Sequence, residues 1–296
     1  MPDLGRGIKF DDNFFKTVSD SANKNTVKFT LIREQPLSRN QDKIIPKLTP
    51  GGFDESLCDF ARGGKLLPIW SQGKKQFTEL EGRAVWLRTV ELFCNRDDVC
   101  QIMLVIHPDD RELFLQRYSA NLSFLGVKVI DGGKERCDSV QNALDQTSPE
   151  VTHVAIHDAV RPCVEKKHID AVFQAAAING AAILATPVVH TLKRANGQGS
   201  IETTLPRKGL WLAQTPQVFE KGLLLRAYRD RPKNLVPTDD SEVVEATGHP
   251  VHLVECDLGN LKITTASDLL LAASILQSRP KPAERRFHPF YEDENH

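Results

Sequence analysis

The run His153 to Ile156 is apolar apart from its first residue and stops on His157-Asp158, with Arg161-Pro162 following directly. A carboxylate at the end of a buried strand can hold a divalent cation such as Mg2+ or a ribose hydroxyl, and a guanidinium three residues on can grip phosphate through its fork. The competing reading is an Asp-Arg ion pair that merely stiffens a loop. Such a pair has no need to stand at a strand end, where open α/β sheets bind their ligands, so the position favours function. His157 reads as loop support rather than as a base.

Four other stretches carry comparable chemistry. Asp131-Gly132-Gly133-Lys134-Glu135-Arg136 leads into a helix at about Asp138-Ser139. Paired glycines let backbone approach a ligand closely, a helix N-terminus favours an anion, and Arg136 and Ser139 add donors. A plain strand-to-helix turn would use the same glycines, so this stretch says little alone. Thr191 and Lys193 follow another strand candidate, and Asn260-Leu261-Lys262-Ile263-Thr264 precedes the last helix. Lys74-Lys75-Gln76-Phe77 stands ahead of an amphipathic helix. A single lysine is usually a solvated charge, so none of these persuades by itself.

The elements that would position these residues alternate regularly from Lys75 onward. Strands are expected at Ile102 to Ile106, Val127 to Ile130, His153 to Ile156, Ala182 to Pro187 and Val251 to Val254, with helices at Val85 to Phe93, Asp109 to Asn121, Asp138 to Asp145 and Lys167 to Asn179. Ile169, Val172, Phe173 and Ala176 share one face of the last of these, and Gly180 closes it as a left-handed glycine would. Thr238-Asp239-Asp240 opens a helix that Gly248 ends, and Thr265 with Asp268 resembles a capping box before Leu269 to Leu276. Short apolar runs alternating with helices predict an α/β fold with a mainly parallel sheet. The segment Val188 to Leu210, with Gly197, Gly199 and Pro206, reads as a protruding hairpin arm. No element is assigned between Leu210 and Thr238. Residues 1–72 form an N-terminal segment with one strand-like run, Val27 to Ile32, the main domain is expected over 73–277, and the Pro- and charge-rich tail 278–296 reads as disordered.

Bulk composition excludes several classes. Across 296 residues, 38 Lys and Arg stand against 39 Asp and Glu, a formal charge of -1, which favours neither a nucleic acid nor an acidic membrane surface as partner. No apolar run is long enough to span a bilayer, and the polar start has no signal-peptide core, so a cytoplasmic protein with a small ligand is expected. The six cysteines lack CxxC spacing, which argues against a zinc site and a secreted disulfide framework.

Taken in order, these pieces resemble the 2-C-methyl-D-erythritol 4-phosphate cytidylyltransferase family. The resemblance rests on Lys75-Gln76-Phe77, Gly132-Gly133 through Arg136 and Ser139-Val140, His157-Asp158-Ala159 with Arg161-Pro162, and Thr191 with Lys193. It continues through Gly209-Leu210-Trp211, Gln214-Thr215-Pro216-Gln217, Thr238-Asp239-Asp240 and Asn260-Leu261-Lys262-Ile263-Thr264. It implies a Rossmann-like nucleotidyltransferase domain that forms a homodimer through its β-arm. The implied reaction joins CTP and 2-C-methyl-D-erythritol 4-phosphate, with Mg2+, and releases pyrophosphate. On this resemblance Lys75 and Lys262 are catalytic, while Gly132, Gly133, Arg136, Ser139 and Asp158 bind the nucleotide. Asp158 also meets the metal, and Arg161, Thr191 and Arg207 bind the polyol phosphate, Arg207 coming from the partner subunit.

Sequence before Lys75 departs from the family. The family opens with an apolar strand and an Ala-Ala-Gly-x-Gly-x-Arg loop that wraps the triphosphate. Here Val27 to Ile32 leads into Arg33-Glu34-Gln35-Pro36 without a glycine, and Ala61-Arg62-Gly63-Gly64-Lys65-Leu66 has a different spacing. Two further readings stay open: a ribitol 5-phosphate cytidylyltransferase, and a catalytically inactive nucleotide-binding relative that lacks this loop.

Overall fold

The computed structural model describes residues 29–34, 78–232, 235 and 237–280. The expected tail beyond residue 280, most of the N-terminal segment and Lys75 lie outside the described residues. A seven-stranded sheet forms the centre. Its strands are β1 (Phe29–Glu34), β4 (Val99–Ile106), β5 (Val127–Asp131), β6 (His153–Asp158), β7 (Ala181–Pro187), β10 (Trp211–Glu220) and β11 (His252–Glu255), in the order β11-β7-β10-β6-β1-β4-β5. β10 is antiparallel to both β6 and β7, and every other pairing is parallel.

The sheet's two sides follow from the period-two alternation of side chains along each strand. Ile102, Leu104 and Ile106 of β4, with Ala155, Leu184 and Val218, join one apolar cluster. It is covered by helices α1 (Val85–Cys94), α2 (Arg111–Phe124) and α4 (Lys166–Asn179), with Trp86, Phe114 and Phe173 among the buried side chains. Met103, Val105, Val154, Ile156 and Phe219 face the other way and pack against α3 (Arg136–Leu144), α5 (Lys221–Arg229) and α6 (Asp240–Glu245). Burial on both faces is why these strands read as continuous apolar runs rather than alternating ones.

Several boundaries move by a few residues from those expected. Asp109 and Asp110 belong to a short 3-10 turn, so α2 begins at Arg111, while α3 begins two residues before Asp138 because Glu135 and Asp138 form its capping box. Gly180 ends α4 at φ +80°, a conformation glycine adopts without steric cost. Two elements fill the unassigned stretch after Leu210, the strand β10 and helix α5, the latter burying Leu223, Leu224, Ala227 and Tyr228. The arm is a separate two-stranded hairpin, β8 (Leu192–Ala195) with β9 (Ile201–Leu205). Its turn is tied by the Asn196 side chain, which accepts from the amides of Gln198 and Ser200 at 3.0 Å each.

The last helix, α7 (Ala266–Ser278), packs Ala272 with Val85, Val160, Ile263 and Leu80 of β2 (Glu79–Leu80), which pairs with β3 (Arg83–Ala84). It starts with a capping box in which Thr265 accepts from the Asp268 amide and Asp268 reaches back to the Thr265 amide. Hydrogen bonds from the Thr264 hydroxyl and from the Thr264 and Thr265 amides hold the Asp268 carboxyl down to about 2. Asp268→Ala is expected to cost about 1 kcal/mol of stability in denaturant unfolding at neutral pH. A carboxyl lowered in the folded state stabilises fully above its ordinary value of 3.8 and loses that contribution as pH falls through about 2. The difference between the two proteins should therefore close in strong acid. A difference independent of pH would contradict this account of the cap.

Candidate active site

Strand order places the site. From β1 the chain crosses to β4 and then β5 on one side, and returns to β6 on the other, so the order reverses between β1 and β6. Open α/β sheets bind ligands in the crevice beyond the carboxyl ends of the strands at such a switch point. In register, Glu34 ends β1 beside Asp158, which ends β6.

Two cations converge on Asp158. Arg161 donates Nε–H to Oδ2 at 2.8 Å and Lys262 donates from Nζ to Oδ1 at 3.2 Å. The Asp158 side chain is 15% exposed and that of Arg161 11%, whereas Lys262 is 40% exposed and reaches the surface. Burial would raise the carboxyl, but the Lys262 and Arg161 charges outweigh it and hold the group below the usual carboxylate range. Asp158 is thus ionised at neutral pH, and the three side chains together carry a net positive charge that suits a phosphate.

A buried polar layer supports this cluster. His157 is fully buried at the level of Asp158, with Nε2 3.3 Å from the Arg161 carbonyl and Nδ1 3.0 Å from the Thr215 hydroxyl. Because a carbonyl only accepts, Nε2 carries a proton. The Thr215 oxygen in turn accepts from the Asp158 amide at 3.0 Å. These bonds fix the imidazole between the Asp158–Arg161 loop and β10, which explains why His157 supports the loop. From below, the buried Thr89 hydroxyl of α1 lies 3.0 Å from the Ala159 carbonyl and ties that helix to the same loop.

The glycine stretch after β5 forms a second wall on the same edge of the sheet. Gly132 donates its amide to the Ile106 carbonyl at 2.8 Å, and Gly133 donates to the Ser139 hydroxyl at 3.0 Å. A Cβ on Gly133 would fall 2.3 Å from the Asp138 Cβ, so only glycine fits. Arg136 turns toward Asp240, a fully buried carboxylate that also accepts from the Tyr228 hydroxyl. Gln217 of β10 joins this region by accepting from the amides of Asp240 and Ser241 at 3.1 Å each and donating to Asp239 at 2.8 Å. Arg136 and Ser139 therefore brace the glycine turn against the start of α6.

Of the residues singled out in the sequence, Asp158, Arg161 and Lys262 meet directly. Gly132, Gly133, Arg136 and Ser139 lie together at the end of β5. Thr191 and Arg207 are exposed on or beside the arm, where Arg207 donates to the Val189 carbonyl. Thr215, Gln214 and Asn260, which the sequence singled out only as parts of motifs, supply the buried polar layer. Their one signal is polarity at positions where a strand and its neighbouring loop must be buried.

A mainly parallel sheet with a cationic cluster at its switch point defines an α/β protein built to hold a phosphorylated ligand. Residues 67–278 match the family profile described as "IspD: 2-C-methyl-D-erythritol 4-phosphate cytidylyltransferase". The chain belongs to that family. It is 41% identical over 218 residues to the 2-C-methyl-D-erythritol 4-phosphate cytidylyltransferase of Rhodopirellula baltica, covering 70% of this chain and 88% of that one. Its identity to the enzyme of the same name from Geobacillus kaustophilus is also 41%, over 207 residues, 69% of this chain and 90% of the other. Among solved structures, the Thermus thermophilus cytidylyltransferase superposes with a TM-score of 0.59 at 32% identity, covering 69% of this chain and 93% of that one. The Francisella tularensis enzyme gives 0.61 at 26% identity over 84% and 99%. β1 falls outside residues 67–278, yet it occupies the centre of the sheet between β4 and β6. The family match begins at residue 67, ahead of Lys75, and the departure in sequence before it leaves the central strand position filled.

Proposed function

We propose that this protein joins CTP to 2-C-methyl-D-erythritol 4-phosphate. An oxygen of the methylerythritol phosphate attacks the α-phosphorus of CTP, a new P–O bond forms, and the bond to the β-phosphate breaks, with pyrophosphate leaving on its electron pair. The observation that carries this reading is the cluster of Arg161 and Lys262 around an ionised Asp158 at the switch point of a chain of this family. Reactions of this kind run mostly on positioning and on neutralising charge that develops on phosphoryl oxygens. Lys262, the most exposed of the three, is the group able to leave Asp158 and meet the phosphates. Arg161 holds Asp158 in place and meets phosphate at its rim. Lys75, ahead of α1, is assigned to the α-phosphate on its match to the family's motif, and Gly132 and Gly133 to the cytidine end.

Asp158 fits a Mg2+ site, because an ionised carboxylate keeps lone pairs beyond those its two cations use, and Mg2+ commonly takes one or two carboxylates with phosphates and water. When bound, the ion would neutralise charge on the triphosphate. The homodimer is supported by the arm, where Val189, Ile201, Leu210 and Leu212 are exposed apolar side chains on or beside the hairpin. In that arrangement Arg207 and Thr191 of the partner's arm complete the pocket for the polyol phosphate. The direct test of substrate is pyrophosphate release from CTP and Mg2+ with methylerythritol phosphate beside ribitol 5-phosphate. Turnover at least about tenfold faster with the first is expected, a modest ratio for a pocket that reads hydroxyl positions. Preference for ribitol 5-phosphate would reassign the substrate, and EDTA should abolish either reaction.

A further inference from the structure

We propose that Asn260 is a positioning residue that sets where the Lys262 ammonium stands. This inference rests on the role given to Lys262 above. Asn260 is 2% exposed, and its side chain donates through Nδ2 to Gln214 Oε1 and to the Thr215 main-chain carbonyl, both at 2.8 Å. The amide's orientation is fixed by chemistry, since the Thr215 carbonyl can only accept and must face the NH2 group. Its own main-chain carbonyl accepts from Arg161 Nη1 at 2.7 Å. One residue therefore joins β10, the Asp158–Arg161 loop and the segment that carries Lys262 two positions later.

The surroundings make this a rigid frame. Gln214 is 6% exposed and donates to the Thr186 hydroxyl at 2.9 Å, and Thr186 reaches the Cys256 carbonyl. On the far side of Lys262, Ile263 donates its amide to the Val160 carbonyl at 2.9 Å. Lys262 is thus spanned by a side-chain anchor at Asn260 and a main-chain anchor at Ile263. The register shift between Ala213 and Gln217 opens the β10 ladder where Asn260 inserts. The Oδ1 atom of Asn260 is buried and finds no donor among the described residues. An apolar side chain would avoid that penalty, so the polar group is explained by the two bonds its other end makes.

A misplacement of about 1 Å in a catalytic group can cost about a hundredfold in rate. Asn260→Ala is therefore expected to lower kcat by about tenfold to a hundredfold while the KM for CTP moves less than about threefold. The test is a cycle of Asn260→Ala, Lys262→Ala and the double variant, with folding checked by circular dichroism. If Asn260 acts through Lys262, its substitution should change kcat less than about threefold once Lys262 is gone. Equal losses on both backgrounds, or kcat of Asn260→Ala within about twofold of the parent, would overturn the proposal. An unchanged rate in Lys262→Ala alone would instead overturn the role of Lys262. Asn260→Asp, of the same size, covers the case in which the alanine variant fails to fold. Its new carboxyl faces two acceptors, so its rate relative to the parent should rise as pH falls and the carboxyl gains a proton to donate. A ratio flat with pH would count against the donor bonds.

Discussion

Lys262→Ala is expected to lower kcat for CTP turnover by about a hundredfold or more, the usual loss when a donor aimed at developing phosphoryl charge is removed. The fold should survive, because the Lys262 side chain is 40% exposed and Arg161 remains 2.8 Å from Asp158 to hold its charge. Nucleotide affinity should change much less than kcat, since the loss falls on charge that appears in the transition state. Steady-state kinetics at saturating CTP checks this. A loss confined to KM would place Lys262 in ground-state binding, and a loss under about threefold would remove it from the chemistry.

Arg136→Met is expected to have the largest effect on stability. Asp240 is completely buried, and Arg136 is the cation beside it. Arg136 is itself 32% exposed, so its loss leaves the buried Asp240 carboxylate short of one partner at a cost of about 1–3 kcal/mol. The Tyr228 hydroxyl and the Asp240 main-chain bond to Gln217 would remain. Urea unfolding should show a lowered midpoint with an unchanged slope. Adding Asp240→Leu should recover part of the loss, because it removes the stranded charge. A drop below about 1 kcal/mol would show that Arg136 contributes no more than a surface pair and is available to a ligand instead.

The parts of the fold legible in the sequence are those whose burial is apolar. β4, β6 and β7 face helices on both sides, so their runs stand out, and α4 shows both its apolar face and the glycine that ends it. β10 lies in the middle of the sheet yet escapes the same reading. Gln214, Thr215 and Gln217 are buried there as polar side chains, and Pro216 occurs where a central strand would ordinarily exclude it. The structure resolves the conflict with the register shift between Ala213 and Gln217, which frees those groups to bond Asn260, Asp158 and Asp239. A strand shaped by partners 22 to 57 residues distant has no signature in its own period.

The site shows the same division. Asp158 and Arg161 were legible because a carboxylate and a guanidinium follow a recognisable strand end. That Lys262 stands with them follows only from the family resemblance, since the contact spans 104 residues. Arg136 read as a donor for an anion from its place at a helix start. The structure turns it onto Asp240, which only the folding of α6 against α3 brings near.

The most direct test of the central claim follows the joined product by mass spectrometry in a mixture of the purified protein, CTP, Mg2+ and methylerythritol phosphate. The account predicts one CDP-linked methylerythritol for each pyrophosphate released, and loss of both together in Lys262→Ala. Pyrophosphate released without the joined product, or no product from a folded protein that still binds CTP, would contradict it.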